Sequence, residues 1–352
     1  MIVKPLEYGA KTYLQVLDEA LEYIKDRQSG KVTSFKTPWL GLNNVGINGM
    51  EWGSMTTIAA RPGAGKTMIT AQILREAYKR NPTQSFNILE FQFEMGTKQY
   101  GSRAFAAEMA LDYNVVLSSH QALDAYSVKM MEQFREETKQ MFSKGIERLF
   151  LGKPMGHESI YKAVHHYYNV LGGKPLIVTI DHSWLVKKND SEKEKMTTLY
   201  NTVEMLMKLK NELPIVIIML SQLNRSIDEA IRKIPGTIAN YPTSSDIFGG
   251  DALMQGSDML VVLNNPAKND VRCYGSEKFK AEDNNIFMHL LKVRNASDNT
   301  KMLFFKAEFN RQRIIEIIPP SADNPGGYTD YVPRSERKGG SRQISADIGS
   351  EL

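Results

Sequence analysis

The chain has 352 residues, 42% of them hydrophobic and 24% charged, enough to bury one large core or two modest ones. A net charge of only +4 excludes a global basic field, so any nucleic-acid affinity must come from locally placed cations. The single cysteine, Cys273, excludes an internal disulfide, and no apolar run approaches the roughly 18 residues that span a bilayer.

Met1–Ala10 carries no charged segment followed by an apolar one, which predicts no secretory signal and a soluble, cytoplasmic protein. From Thr12 to Asp26 the apolar residues Tyr13, Leu14, Leu17, Leu21 and Ile24 recur at helical spacing, with Asp18, Glu19 and Glu22 opposite. Such a helix packs either on its own domain or on a neighbouring subunit, and the sequence leaves both open. Ser29-Gly30 ends it, and an extended stretch through Pro38 and Trp39 follows.

The body then alternates between two periods. Strand-like runs fall at 55–60, 86–93, 176–181, 215–220 and 259–263, with helical patterns at 66–79, 98–111, 128–143, 159–170 and 194–211. This alternation predicts βαβ units and a mostly parallel sheet covered by helices on both faces. Runs at 286–293, 302–309 and 312–318 lack intervening helices and predict an antiparallel extension of that sheet. From Pro319 the chain is rich in Gly, Ser and Pro and too poor in apolar residues to fold alone. The expected organisation is an N-terminal helix and extended segment (1–32), one α/β domain (33–318) and a disordered tail (319–352). His165-His166 lacks cysteine or carboxylate partners at ligand spacing, so no structural zinc is expected.

The run Thr56–Ala60 feeds Ala60-Arg61-Pro62-Gly63-Ala64-Gly65-Lys66-Thr67 and then a helix, the strand–loop–helix setting of a phosphate-binding loop. Glycines let successive N–H groups turn inward, and the helix N-terminus adds partial positive charge. Lys66 would reach the terminal phosphates of ATP and the Thr67 hydroxyl would hold Mg²⁺. Ala60 stands where such loops usually carry their first glycine. Leu176–Asp181 is an apolar strand ending in a carboxylate, so Asp181 is the expected second metal-site acid, on a strand neighbouring that of the loop. Glu94, ending the run Phe91-Gln92-Phe93-Glu94, is the candidate base or polariser for water. Glu90, four residues deeper, is its rival. Gln222, after Leu220-Ser221, is placed to sense the γ-phosphate.

Taken in this order, the pieces resemble the RecA-like C-terminal motor domain of DnaB-type hexameric helicases over about Thr33 to Asn310. The resemblance rests on the phosphate loop, Phe93-Glu94-Met95 with Gln99 and Arg103, Ile180-Asp181, and above all Leu220-Ser221-Gln222-Leu223-Asn224-Arg225. It implies a RecA-like P-loop NTPase fold and a ring, usually of six subunits, that pulls single-stranded DNA through its centre. Nucleotide would lie between subunits, with Arg294 of Lys292-Val293-Arg294-Asn295 as an arginine finger in trans and Lys292 beside it. The segment with Ser245-Asp246, Gln255 and Asp258 resembles the DNA-loop region, so Phe248 and the N–H groups of Gly249 and Gly250 would meet DNA. Arg225, Arg232 and Lys233 are candidate extra cations. The 12–26 helix sits where the family carries its docking linker. Two departures are the missing room before Thr12 for the primase-recruiting domain and Phe248 where an arginine is frequent. The termini are then the expected contacts for a primase, polymerase or loader, and the compact form points to a phage or plasmid replicon. The alternatives are a RecA- or RadA-type recombinase, and an ATP-binding scaffold or helicase loader.

Overall fold

Five apolar runs are buried almost end to end and lie side by side, as a sheet covered on both faces requires. They are β1 (Ser54–Ala60), β2 (Asn87–Gln92), β4 (Leu176–Asp181), β5 (Ile215–Gln222) and β6 (Met259–Asn264). The computed structural model describes residues 10–141, 143, 145–189, 192, 194–295, 301–318 and, for the backbone alone, 329–330. Its main sheet has ten strands in the order β12-β11-β10-β9-β6-β1-β5-β4-β2-β3. The six from β6 to β3 run parallel. The antiparallel extension is β9 (Asn285–Val293), β10 (Met302–Glu308), β11 (Arg313–Ile318) and β12 (Thr329–Asp330). Apart from β12, the tail lies outside the described residues.

Alternation along the strands splits the core. Val216, Ile218 and Leu220 of β5 face α3 (Lys66–Arg75), while Ile215, Ile217 and Met219 face α8 (His157–Val170) and α9 (Lys195–Glu212). The short α2 (Leu40–Val45) is tied to β11, where Glu316 accepts from Gly41 N at 2.9 Å and Trp39 Nε1 donates to Ile314 O at 3.1 Å. The helical pattern from Lys66 breaks at Glu76 into α3 and a single turn, α4 (Ala77–Arg80). On the far side lie α5 (Thr97–Glu108), α6 (Tyr113–Val116) and α7 (Ala125–Met141). Strand β3 (Glu147–Leu151) escaped the sequence reading: its first two residues are charged, and as an edge strand it is only half covered. The hairpin of β7 (Cys273–Tyr274) and β8 (Phe279–Lys280) escaped it too, each strand being two residues long.

Helix α1 (Tyr13–Gln28) starts with a Thr12/Gln15 capping box, and none of its residues is buried. Tyr13 is 76% exposed and Leu14 68% exposed. Its C-terminal end touches the domain, with Tyr23 Oη 3.3 Å from Glu51. The helix therefore does not pack on its own core. Among the described residues no helix is long and apolar enough to cross a membrane.

Candidate nucleotide and nucleic-acid sites

Three strand ends converge at the C-terminal edge of the parallel strands. Ala60 closes β1, and Gly63 and Gly65 take φ values of +77° and +93°, which only glycine adopts without strain. A Cβ on Gly65 would also sit 3.1 Å from Ile286 Cδ1. Arg61 pairs with Asp228 at 2.6 Å, Pro62 is exposed and Ala64 buried. Lys66 and Thr67 open α3. Lys268, unnoticed in the sequence, donates to Gly63 O at 2.5 Å and thereby braces the loop.

Strand β4 is not the immediate neighbour of β1, contrary to the sequence expectation: β5 lies between them. The two sites still meet. Thr67 Oγ1 donates to Asp181 Oδ2 at 2.8 Å, and Lys66 Nζ lies 3.5 Å from Asp181 Oδ1. Among the described residues, both Lys66 Nζ and Asp181 Oδ1 are buried without a hydrogen-bond partner, a state costly enough to call for a ligand. A hydroxyl, a carboxylate and a glycine-lined loop beside a cation suit a phosphate with a hard divalent ion such as Mg²⁺. Burial pushes the Lys66 ammonium below its usual range, against the pull of Asp181 and Glu94.

Gln92, which the sequence reading passed over, organises the acidic side. Its Nε2 donates to Asp181 Oδ2 at 2.8 Å, and its Oε1 accepts from Glu94 N at 2.9 Å. The signal was the register, since Gln92 lies level with Asp181 in the paired strands. Glu94 is exposed just past the end of β2, two strands beyond β5 rather than next to β1. Burial pushes His182 down to about 4 beside the Lys66 charge, so it is neutral, and its ring is in hydrogen-bonding contact with Gln222.

Glu90 points elsewhere. It is buried and accepts from Tyr100 Oη at 2.6 Å, with burial pushing its pKa up to about 8. Folded protein thus holds a proton that unfolded chain releases near 4.5, so stability falls as pH climbs from 4.5 to about 8 and then levels. Glu90→Gln is expected to flatten the fall of Tm across that window, and parallel melting curves for variant and parent would contradict this assignment.

At the next strand end, Gln222 O accepts from Phe248 N at 2.9 Å. Phe248 is half-buried with its ring 4.0 Å from that of Trp184, so part of the surface expected to meet DNA is already covered. Gly249 has φ +68°, and a Cβ there would lie 2.1 Å from Leu199 Cδ2. Gly250 is buried and its N–H donates to Ile247 O at 3.0 Å. That group is spent inside the turn entering α10 (Gly250–Gly256), rather than free for a phosphate as the sequence suggested. Arg225 and Lys233 are exposed, whereas Arg232 is drawn inward onto the buried Asp246.

Lys292 and Arg294 sit at the opposite edge of the sheet. Ile286 of β9 lies against Gly65, and Arg294 follows eight residues along an extended strand, about 26 Å away. Lys292 Nζ donates to Met254 O of its own α10 at 2.5 Å, so it does not reach outward as expected. Arg294 is half-exposed and pairs with Asp258 at 2.9 Å, which also accepts from Lys210.

The profile of the DnaB-like helicase C terminal domain matches residues 35–313. The replicative DNA helicase DnaB of Helicobacter pylori (strain ATCC 700392 / 26695) is 25% identical over 312 residues, 86% of this chain and 57% of that protein. The Geobacillus stearothermophilus DnaB is 25% identical over 315 residues, 86% and 62%. The chain thus spans about three fifths of the length of these relatives. Among solved structures, an isolated ATPase domain superposes with a TM-score of 0.69 at 18% identity, covering 85% of this chain and 97% of that one. A DnaB-like replicative helicase, solved for its interactions with primase, gives 0.67 at 19% identity, covering 84% and 66%. These likenesses bear out the RecA-like α/β fold expected from strand–helix alternation, with its antiparallel extension. By the profile match across most of its length, the chain belongs to the DnaB-like helicase C-terminal domain family.

Proposed function

We propose that this chain is the motor of an ATP-driven replicative DNA helicase, assembled in the cytoplasm as a ring, six-membered in its expected form, around single-stranded DNA. One observation carries the reading: the phosphate loop and Arg294 lie at opposite edges of one sheet, about 26 Å apart. An arginine so placed serves the nucleotide of a neighbouring copy. The unburied apolar face of α1 supports the same arrangement, since a helix with no core of its own needs a surface on the next subunit.

At each interface Lys66 would hold the terminal phosphates of ATP, while Thr67 and Asp181 would hold Mg²⁺. A bound divalent ion would supply charge neutralisation to the phosphates. Glu94 orients and deprotonates the attacking water, fixed by the Gln92 bridge to Asp181. Gln222 meets the ring of His182, the residue after Asp181, with its side chain, and holds the nucleic-acid loop with its backbone carbonyl, through Phe248 N. Arg225, on the stretch after Gln222, and the exposed part of Phe248 would face the strand.

A forked duplex with one labelled tail tests the reading. ATP-dependent release of that strand is expected, abolished when ATP is withheld. Strand exchange without unwinding would favour a recombinase, and hydrolysis with neither would leave an ATP-binding scaffold.

A further inference from the structure

The segment after Gln222 and the segment before Phe248 are zipped together. Besides the Phe248 N–Gln222 O bond, Asn224 N donates to Asp246 O at 2.7 Å and Asn224 Nδ2 to Ser245 O at 2.7 Å. Leu223 and Ile247 form a β-bridge between them. At the centre is Asp246, a carboxylate with no exposure to solvent. Arg232 Nη2 lies 2.9 Å from each of its oxygens, Ser226 Oγ donates at 2.7 Å, and Thr243 N donates at 2.7 Å. Arg232 in turn binds Tyr241 O through Nη1 at 2.8 Å.

Burying a charge is costly, and the cost is offset here only because three separate stretches, 224–228, 230–241 and 243–248, all close on one group. Close by in the first of these, Asp228 holds Arg61 of the phosphate loop at 2.6 Å. The 224–228 stretch therefore holds the phosphate loop through Asp228 and, two residues earlier, holds Asp246 through Ser226. An anion sealed from solvent cannot itself meet DNA, so its role lies in holding the loop.

We propose that the Asp246–Arg232 ion pair is the rigid joint through which the nucleotide site moves the DNA-facing loop, making both positioning residues. This rests on the helicase reading above. Breaking the joint leaves the phosphate loop, Asp181 and Glu94 untouched but lets the loop drift relative to Gln222, so hydrolysis no longer responds to DNA.

The test is steady-state ATP hydrolysis by the assembled full chain, with and without oligo(dT), together with oligo(dT) binding by anisotropy. For Asp246→Asn we expect a DNA-free rate and an oligo(dT) affinity within about twofold of the parent, and at least a roughly tenfold loss of DNA stimulation. Arg232→Lys, which keeps the charge but loses the planar fork, should recover part of that stimulation. Ser226→Ala, which strands no charge, should lose several-fold and serves if Asp246→Asn does not fold. Full stimulation in Ser226→Ala and in any folded Asp246→Asn overturns the proposal. So does an equal fall of DNA-free and DNA-stimulated rates, the mark of a purely structural role, or a weakened affinity with maximal stimulation intact. If the parent shows no stimulation by oligo(dT), it is the helicase reading that fails, ahead of this one.

Discussion

Lys66→Ala is expected to remove ATP hydrolysis to below about a hundredth of the parent rate and to weaken nucleotide binding severely. The Lys66 ammonium is buried, has no hydrogen-bond partner among the described residues and is held 3.5 Å from Asp181. A desolvated cation aimed into a glycine-lined loop gains its interactions only when phosphate oxygens arrive, and each charge-assisted bond then contributes about 1.5–3 kcal/mol. The fold should tolerate the change. Asp181 Oδ2 keeps Thr67 and Gln92 as donors, and only the ion-pair contact of Oδ1 is lost. A fluorescent ATP analogue and a phosphate-release assay on the same preparation separate binding from turnover. Hydrolysis stimulated by single strands and persisting at parental levels in Lys66→Ala would show that phosphate binds elsewhere.

Arg294→Ala should cost roughly 10³–10⁵ in rate, the range found for arginine fingers in phosphoryl transfer. In the isolated chain Asp258 neutralises this guanidinium, but the side chain remains half-exposed and free to turn toward a neighbour. The decisive experiment mixes two inactive proteins. Arg294→Ala subunits retain Glu94, and Glu94→Gln subunits retain Arg294, so a mixed ring contains some interfaces with both groups. Hydrolysis should reappear and peak near equal proportions. No recovery at any ratio would mean that the finger acts within its own chain, which the separation along β9 argues against, or not at all.

The sheet was legible because burial on both faces forces continuous apolar runs, and five of them announced themselves. β3 was hidden by the charges of Glu147 and Arg148, which an edge strand tolerates and a central one does not. Thr67, Lys66 and Asp181 could be read because phosphate chemistry demands those residue types beside a strand–loop–helix junction. Gln92 could not: an amide in an apolar strand acquires meaning only once the pairing with β4 sets it level with Asp181. Strand order was equally silent, since nothing in β5 says that it will insert between β1 and β4. Arg232, a candidate cation for nucleic acid from the sequence, is not available to it. It turns inward because Asp246, fourteen residues on, is buried and has to be neutralised.

The three tryptophans occupy unlike surroundings. Trp39 is sealed against β11 with its indole N–H bonded to Ile314 O, and Trp52 is partly covered among Phe35 and Phe86. Trp184 lies at the Phe248 loop, its ring against Phe248 and the Lys195 ammonium 5.8 Å from it. Indole emission shifts with polarity and nearby charge, so the molecule carries an intrinsic optical probe at the very loop whose displacement matters. Rearrangement around Phe248 during turnover would register as a change in ultraviolet fluorescence, with no dye attached.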